Sequence, residues 1–379
     1  MNKRNIYILY AIALLQGMVF YAPVATLYRQ AAGIGIFQIT LIESISLVLM
    51  ILLEIPWGWA ADRIGYRRTM LVCCGLYFVS KVVFWKADSF SMFLLERILL
   101  SVVCAGLSGV DSSMLYLSCG ETDSHRVFSI YNNLQQMGLI AAAGTYALWI
   151  GENYRLAGFL TVISHGAAAH LALGLREVKA PDIKRNGSLR SSLTVLTQQL
   201  GKKELLFLLL AVALVNETHQ TVTVFLNQLQ YSRAGMDTRA ISLAYIAVSI
   251  TGLAGGFSAR LCAKTGARRM GSLLMLASAL CCLVLAVTAR PMASVLAVLG
   301  LRGCYSLLQP LHMELQNRMI TTSDRATALS MNAVLLDGVG IFLNLIFGYI
   351  AERNLTCTML FGGAVCIAGT LLFRRSQQT

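Results

Sequence analysis

The segment "GWAADRIGYRR", residues 58–68, places one aspartate and three arginines within eleven residues, directly after a long run that is nearly free of charge. A basic knot that closes an apolar run marks a helix leaving a bilayer, where arginines meet headgroups and water. The rest of the chain agrees: 56% of its 379 residues are hydrophobic, 13% are charged, and the mean hydropathy is +0.66. That is more apolar than a soluble core requires. The sequence therefore reads as an all-α membrane protein.

A bilayer core of about 30 Å takes roughly 20 residues per helix. Twelve stretches meet that demand, at 6–27, 37–60, 69–86, 90–116, 127–149, 156–175, 205–228, 238–262, 270–289, 292–317, 326–350 and 355–373. The first follows Asn2, Lys3 and Arg4 but is too long for a signal peptide and lacks an A-x-A site, so it reads as a retained helix. One long polar stretch, "REVKAPDIKRNG" and then "SLRSSLTVLTQQLGKKE", divides the chain. The expected organisation is an N-terminal six-helix bundle (1–175), a cytoplasmic linker (176–204) and a C-terminal six-helix bundle (205–379). Leu189, Leu193, Leu196 and Leu200 carry the spacing of an interfacial helix, with a plain linker as the alternative.

With both termini placed inside, about two-thirds of the 31 Lys and Arg residues fall in cytoplasmic segments, as the positive-inside rule demands. The net charge of +13 then reports topology and attraction to anionic lipid, not nucleic-acid binding. The ten cysteines lie mostly inside helices without zinc or disulfide spacing, and read as small buried hydrophobes.

A second copy of the opening segment, "ARLCAKTGARR", occupies residues 259–269 at the equivalent place in its half. Gly65 aligns with Gly266, and Arg67 and Arg68 with Arg268 and Arg269, while Ala263 stands where Asp62 stands. Two halves descended from one unit are a transporter design, with the solute site expected near mid-membrane.

These residues resemble a known family. "GWAADRIGYRR" is similar to the G-x-x-x-D-R-x-G-R-[RK]-[RK] loop of the major facilitator superfamily, with Tyr66 where an arginine is usual. "LLEIPWGWAAD" is similar to the LEIPTG-type run of many bacterial members, and "SDRATALSMN" to their R-A-T-x-L-S segment. The resemblance implies twelve transmembrane helices in two pseudo-symmetric bundles that work by alternating access. It assigns Gly58, Asp62, Arg63, Gly65, Arg67 and Arg68 to a cytoplasmic gate, the arginines meeting inner-leaflet phosphates and Asp62 capping or pairing with a neighbouring helix. The alternative is that the cluster only fixes topology.

Each ionisable group at a helix centre costs about 2.5–3.5 kcal/mol on insertion scales and implies a partner or a hydrated path. Glu43 and Arg97 fall at similar depth in the second and fourth helices and can pair, for proton coupling or as a structural bridge. Arg97 resembles the arginine of the family's R-x-x-Q-G motif, although "RILLS" lacks the Gln and Gly. Lys81 and Glu96 are expected to snorkel outward. Glu54 and Asp111 join the inner gate, or are helix ends in water. Glu217, Arg302 and Asp337 all calculate to the midplane, with Arg302 expected to hold Asp337 or Glu217 ionised. Asn216, Gln220, Thr223 and Asn227 repeat at the spacing of one helical face, and with Gln16, Tyr21, Asn132 and Gln136 they make a candidate cavity. His312 and Glu314 read as a hydrogen-bond network near the gate, since no third metal ligand sits at helical spacing.

No ATP-binding loop or nucleophile elbow occurs, so neither enzyme activity nor a cofactor is expected and a gradient must drive the work. The reading is a monomeric secondary transporter of the bacterial inner membrane, both termini cytoplasmic, whose partners are lipid, protons and a small organic solute. Proton-coupled efflux by antiport is favoured. Uptake by symport is the alternative, because "QQMGLIAAAGTYALW" lacks the proline of exporter motifs. A non-transporting receptor is the third possibility.

Overall fold

A bilayer offers the backbone no hydrogen-bond partner, so apolar runs of this length must pair their own N–H and C=O groups as helices. The computed structural model describes residues 3–119, 124–178, 203–320 and 325–377, and among them only helical elements and their connections occur. The first half contains α1 (Lys3–Gly17), α2 (Ala25–Ala31), α3 (Ile36–Ile64), α4 (Tyr66–Lys86), α5 (Phe90–Leu107), α6 (Val110–Cys119), α7 (Ser124–Thr145) and α8 (Tyr154–Ala172). The second contains α9 (Lys203–Gln220), α10 (Asn227–Arg233), α11 (Thr238–Thr251), α12 (Ser258–Thr265), α13 (Ala267–Val287), α14 (Pro291–Met319), α15 (Arg325–Arg353) and α16 (Leu355–Ser376). Ten spans within these are long and apolar enough to cross a membrane, and α7 and α8 add helices of 22 and 19 residues. The leucines of the proposed interfacial helix lie outside the described residues.

Two compact units result. One comprises Met1–Gln38, Ile45–Lys184 and Thr238–Ile246; the other comprises Ile39–Ser44, Arg185–Asp237 and Ala247–Thr379. Leu9, Ile12, Met70, Met114 and Leu115 lead the core of the first, and Leu208, Val215, Met275, Cys366 and Phe373 that of the second. All ten cysteines lie among the described residues and none is in a disulfide.

The sequence repeat has a backbone counterpart. Gly65 (φ 93°, ψ 151°) precedes α4 and Gly266 (φ 78°, ψ 148°) precedes α13, in a left-handed conformation that only glycine adopts without strain. Asn153 Oδ1 accepts from Leu156 N at 2.9 Å and Asn354 Oδ1 from Cys357 N at 3.1 Å, capping α8 and α16 at equivalent places. The fourth span breaks between α5 and α6 at Gly109 (φ 80°), and the matching position in α14 is Pro310. Proline has no N–H for the carbonyl four residues back, and that carbonyl, Ser306 O, lies against Gly255.

Helices α1 and α7 approach backbone to backbone. A Cβ on Gly17 would stand 2.1 Å from Gln135 O, and one on Gly138 would stand 2.2 Å from Leu14 O. Membrane helices lack a hydrophobic drive to associate, so such small-residue contacts carry their packing. Gly138→Ala should therefore destabilise the protein by about 1–3 kcal/mol, the range for overpacking. Gly144→Ala, in the same helix with nothing within 4 Å of the new atom, should not. Thermal melting in detergent measures both, and equal melting temperatures would contradict the packing account.

Candidate transport site

The loop that opened the sequence reading is fastened within its own unit. Arg67 Nε donates to Leu175 O at 2.7 Å and Nη2 to Leu173 O at 3.5 Å, capping the carbonyl end that follows α8. In return Glu177 Oε1 accepts from Arg67 N at 3.1 Å, an anion at the N-terminus of α4. The carboxylate occupies the space a Cβ at residue 65 would fill, 2.8 Å from Glu177 Oε2, which gives Gly65 a second reason to be glycine. Arg67 is thus committed to carbonyls, not to lipid phosphate. Arg63 and Arg68 are exposed. Gly58, Glu54 and Asp62 lie in α3, and their side chains fall outside the described residues. Asp111, in the first turn of α6, accepts from Tyr131 Oη of α7 at 3.2 Å.

Deeper in the first unit, Lys81 and Glu96 correct the expectation of snorkelling. They are 3% and 1% exposed and pair at 3.1 Å, and Lys81 Nζ also donates to Tyr21 Oη at 3.0 Å. Tyr21, expected in the cavity, is buried and stacks on Phe84 with centroids 3.9 Å apart. The chain keeps both charges in the interior because each is the other's partner, and Tyr77 adds a cation–π contact at 5.2 Å. Gln16 points at Cys74, Nε2 to Sγ 3.5 Å. Asn132 is exposed and Gln136 half-buried on α7. Arg97 lies in this unit, where its carbonyl accepts from Ser101 Oγ, itself 2.7 Å from Ser46 Oγ.

In the second unit, Glu217 of α9 is buried and accepts from Thr221 Oγ1 at 2.9 Å. A Cβ on Gly340 of α15 would stand 2.9 Å from its Oε2, so the carboxylate rests against that helix where a larger residue would displace it. Asp337 lies one turn earlier on the same face of α15. Asp337 and Glu43 are near enough to act on Glu217 electrostatically. Glu43 belongs to the Ile39–Ser44 segment, which is tied to α15 by Asn344 Nδ2 donating to Thr40 O at 3.2 Å. Three carboxylates thus gather in one unit.

Arg302 of α14 does not form the expected pair with Glu217 or Asp337. No acid lies within 4 Å of it among the described residues, and its Nη1 faces His219 Nε2 at 3.4 Å. His219 stacks on Tyr305 with centroids 3.9 Å and planes 8° apart. Room for the guanidinium comes from Gly252, where a Cβ would stand 2.7 Å from Nη2. The polar face expected along α9 is also broken. Thr221–Leu226 forms a π-helix, whose wider turn shifts the register of everything after it. Asn216 is half-buried and Gln220 exposed, but Thr223 and Asn227 are buried, with Thr223 Oγ1 donating to His219 O at 2.8 Å. His312 and Glu314 do not form a network, because exposed Glu314 pairs with Arg318 one turn on.

The family profile described as Major Facilitator Superfamily matches residues 6–343. The chain belongs to that superfamily. Solved transporter structures extend the match over the whole fold. A crystal structure of the nucleoside transporter NupG aligns with a TM-score of 0.82 at 16% identity, covering 100% of both chains. A bacterial homologue of the human lysosomal transporter Spinster, inward-facing and unoccupied, aligns at 0.70 and 17% identity, covering 99% of this chain and 94% of that one. A POT family transporter in complex with 5-aminolevulinic acid aligns at 0.74 and 14% identity, covering 97% and 95%. No curated protein sequence matches the chain. As a superfamily member it is a multi-pass membrane transporter of a small molecule working by alternating access.

For this member the buried Lys81–Glu96 pair gives a direct test of how interior charge is tolerated. Lys81→Met leaves Glu96 without its counter-charge and should cost about 3–5 kcal/mol, while Lys81→Met with Glu96→Gln should recover most of that. Melting of the three proteins in detergent decides it. A single variant as stable as the parent would show that the pair does not hold the unit together.

Proposed function

We propose that the chain is a proton-coupled secondary transporter that exports a small organic solute across a bacterial inner membrane in exchange for protons. It works as a monomer with both termini cytoplasmic. Two six-helix bundles, 1–175 and 205–379, rock about the linker at 176–204, and the loop from Gly58 to Arg68 acts with Glu54 and Asp111 as the cytoplasmic gate. The observation that carries the proton reading is the gathering of Glu217, Asp337 and Glu43. Like charges near a buried carboxylate make its ionisation costly, so Glu217 is the candidate to take up and release protons. Arg302, with no acid within 4 Å among the described residues, is the cation that faces the solute path beside His219 and Tyr305. Arg97 is the candidate coupling group of the first unit, and Gln16, Asn132, Gln136, Asn216 and Gln220 are candidate solute contacts. Tyr21, buried, acts on the path only through Lys81, whose ammonium it accepts from, and Asn227 is buried with its Oδ1 accepting from Gln228 N.

A second reading, uptake by symport, is favoured by the lack of proline in "QQMGLIAAAGTYALW". Proton flux in proteoliposomes, across a panel of amphipathic cations, sugars and organic acids, separates the two by its direction. Glu217→Gln and Asp337→Asn should each abolish gradient-driven flux and keep solute exchange. Full gradient-driven flux in both variants would remove the carboxylates of the second unit from the mechanism.

A further inference from the structure

A cavity of about 480 Å³ opens between α13 and α16, lined by Arg268, Arg269, Ser272, Leu273 and Arg374. None of these residues belongs to the proposed gate, coupling groups or solute contacts. The two helices are antiparallel here, and Gly271 lets them close: a Cβ on it would stand 2.3 Å from the Phe373 ring. That contact brings the start of α13 level with the end of α16, so arginines distant in sequence share one opening. Arg374 Nε is steadied by Ser272 Oγ at 3.4 Å.

Among the described residues, no acid forms an ion pair with the arginines of the opening. No Asp or Glu occurs between Asp237 and Glu314, or after Glu352. Glu204, at the start of the α9 helix that packs on α16, makes no ion pair with these arginines among the described residues. What surrounds the opening is apolar. Leu273, Leu276 and Leu280 are 60%, 38% and 61% exposed along one face of α13, and Ile367 and Leu371 are 43% and 58% exposed on α16, one turn before Arg374. Two outward-facing apolar stripes therefore lead to a cluster of three guanidinium groups.

We propose that this cavity binds the phosphodiester of an anionic phospholipid of the cytoplasmic leaflet, with the acyl chains lying along the α13 and α16 stripes. Guanidinium forks match phosphate oxygens bidentately, and a basic pocket between helices at the cytoplasmic side is the setting in which anionic headgroups are held. A soluble phosphate or an acidic peptide would satisfy the arginines but would gain nothing from the exposed leucines beside them. The site is independent of what the protein transports.

The test uses the purified, delipidated full chain. Native mass spectrometry with phosphatidylglycerol should show a retained adduct, and with phosphatidylcholine of the same chains it should not. Arg268→Gln/Arg269→Gln/Arg374→Gln should weaken phosphatidylglycerol binding at least about tenfold, given that each basic group near an anionic surface contributes on the order of 1 kcal/mol. Arg126→Gln/Arg239→Gln/Arg290→Gln removes the same charge at exposed positions elsewhere and should leave binding unchanged. If the first triple variant fails to fold, a photoactivatable phosphatidylglycerol on the parent should crosslink to peptides of α13 and α16. Equal retention of phosphatidylcholine, equal loss in both triple variants, crosslinking elsewhere, or displacement of the lipid by millimolar inorganic phosphate would each overturn the proposal.

Discussion

A charge carried into a bilayer must be matched within reach of its own side chain, and this constraint orders the interior of the protein. Lys81 is retained because Glu96 and Tyr21 are at hand. Glu217 is retained because Thr221 donates to one oxygen and Gly340 leaves space for the other. The two solutions differ in kind. The first matches cation to anion and stays closed, which suits a structural post. The second sets a buried acid near other acids, and Glu217 can be made neutral there by a proton, which suits a group that cycles.

Glycine supplies the second constraint. Backbone oxygens occupy the places where side chains at Gly17 and Gly138 would begin, and a carboxylate oxygen occupies that of Gly65. The loop after α3 therefore does more than mark the membrane surface. Its Arg67 closes the carbonyl end beyond α8 while Glu177 closes the amide end of α4, so one short segment ties the third span to the sixth. The second copy keeps the glycine geometry at Gly266 but places Arg268 and Arg269 toward an open cavity. The two copies share a backbone geometry and differ in what their arginines meet.

Much of the fold was legible in the sequence. Helix length and charge are set by the bilayer, and the repeat at Gly65 and Gly266 survives because only glycine takes that backbone conformation without strain. The site was legible only in part. Depth along a helix can be counted, so Glu217, Arg302 and Asp337 were drawn to mid-membrane, but depth does not give azimuth. Arg302 faces His219 and Tyr305, and the π-turn at Thr221–Leu226 spoils the 3.6-residue count used to place Asn227. Lys81 and Glu96 were missed for a related reason. Two opposite charges at similar depth on consecutive spans carry the signal that they meet, which the expectation of outward snorkelling passes over. His219–Tyr305 stacking leaves no trace in spacing at all.

Under the proposed mechanism, the carboxylates of the second unit exchange protons inside the membrane. Infrared difference spectroscopy of the reconstituted protein between acidic and alkaline pH reads that event directly, through the C=O stretch of a protonated carboxyl in an apolar setting. The parent should show a pH-dependent band that disappears in Glu217→Gln and shifts in Asp337→Asn. A band that is absent in the parent, or that persists unchanged in both variants, would contradict it.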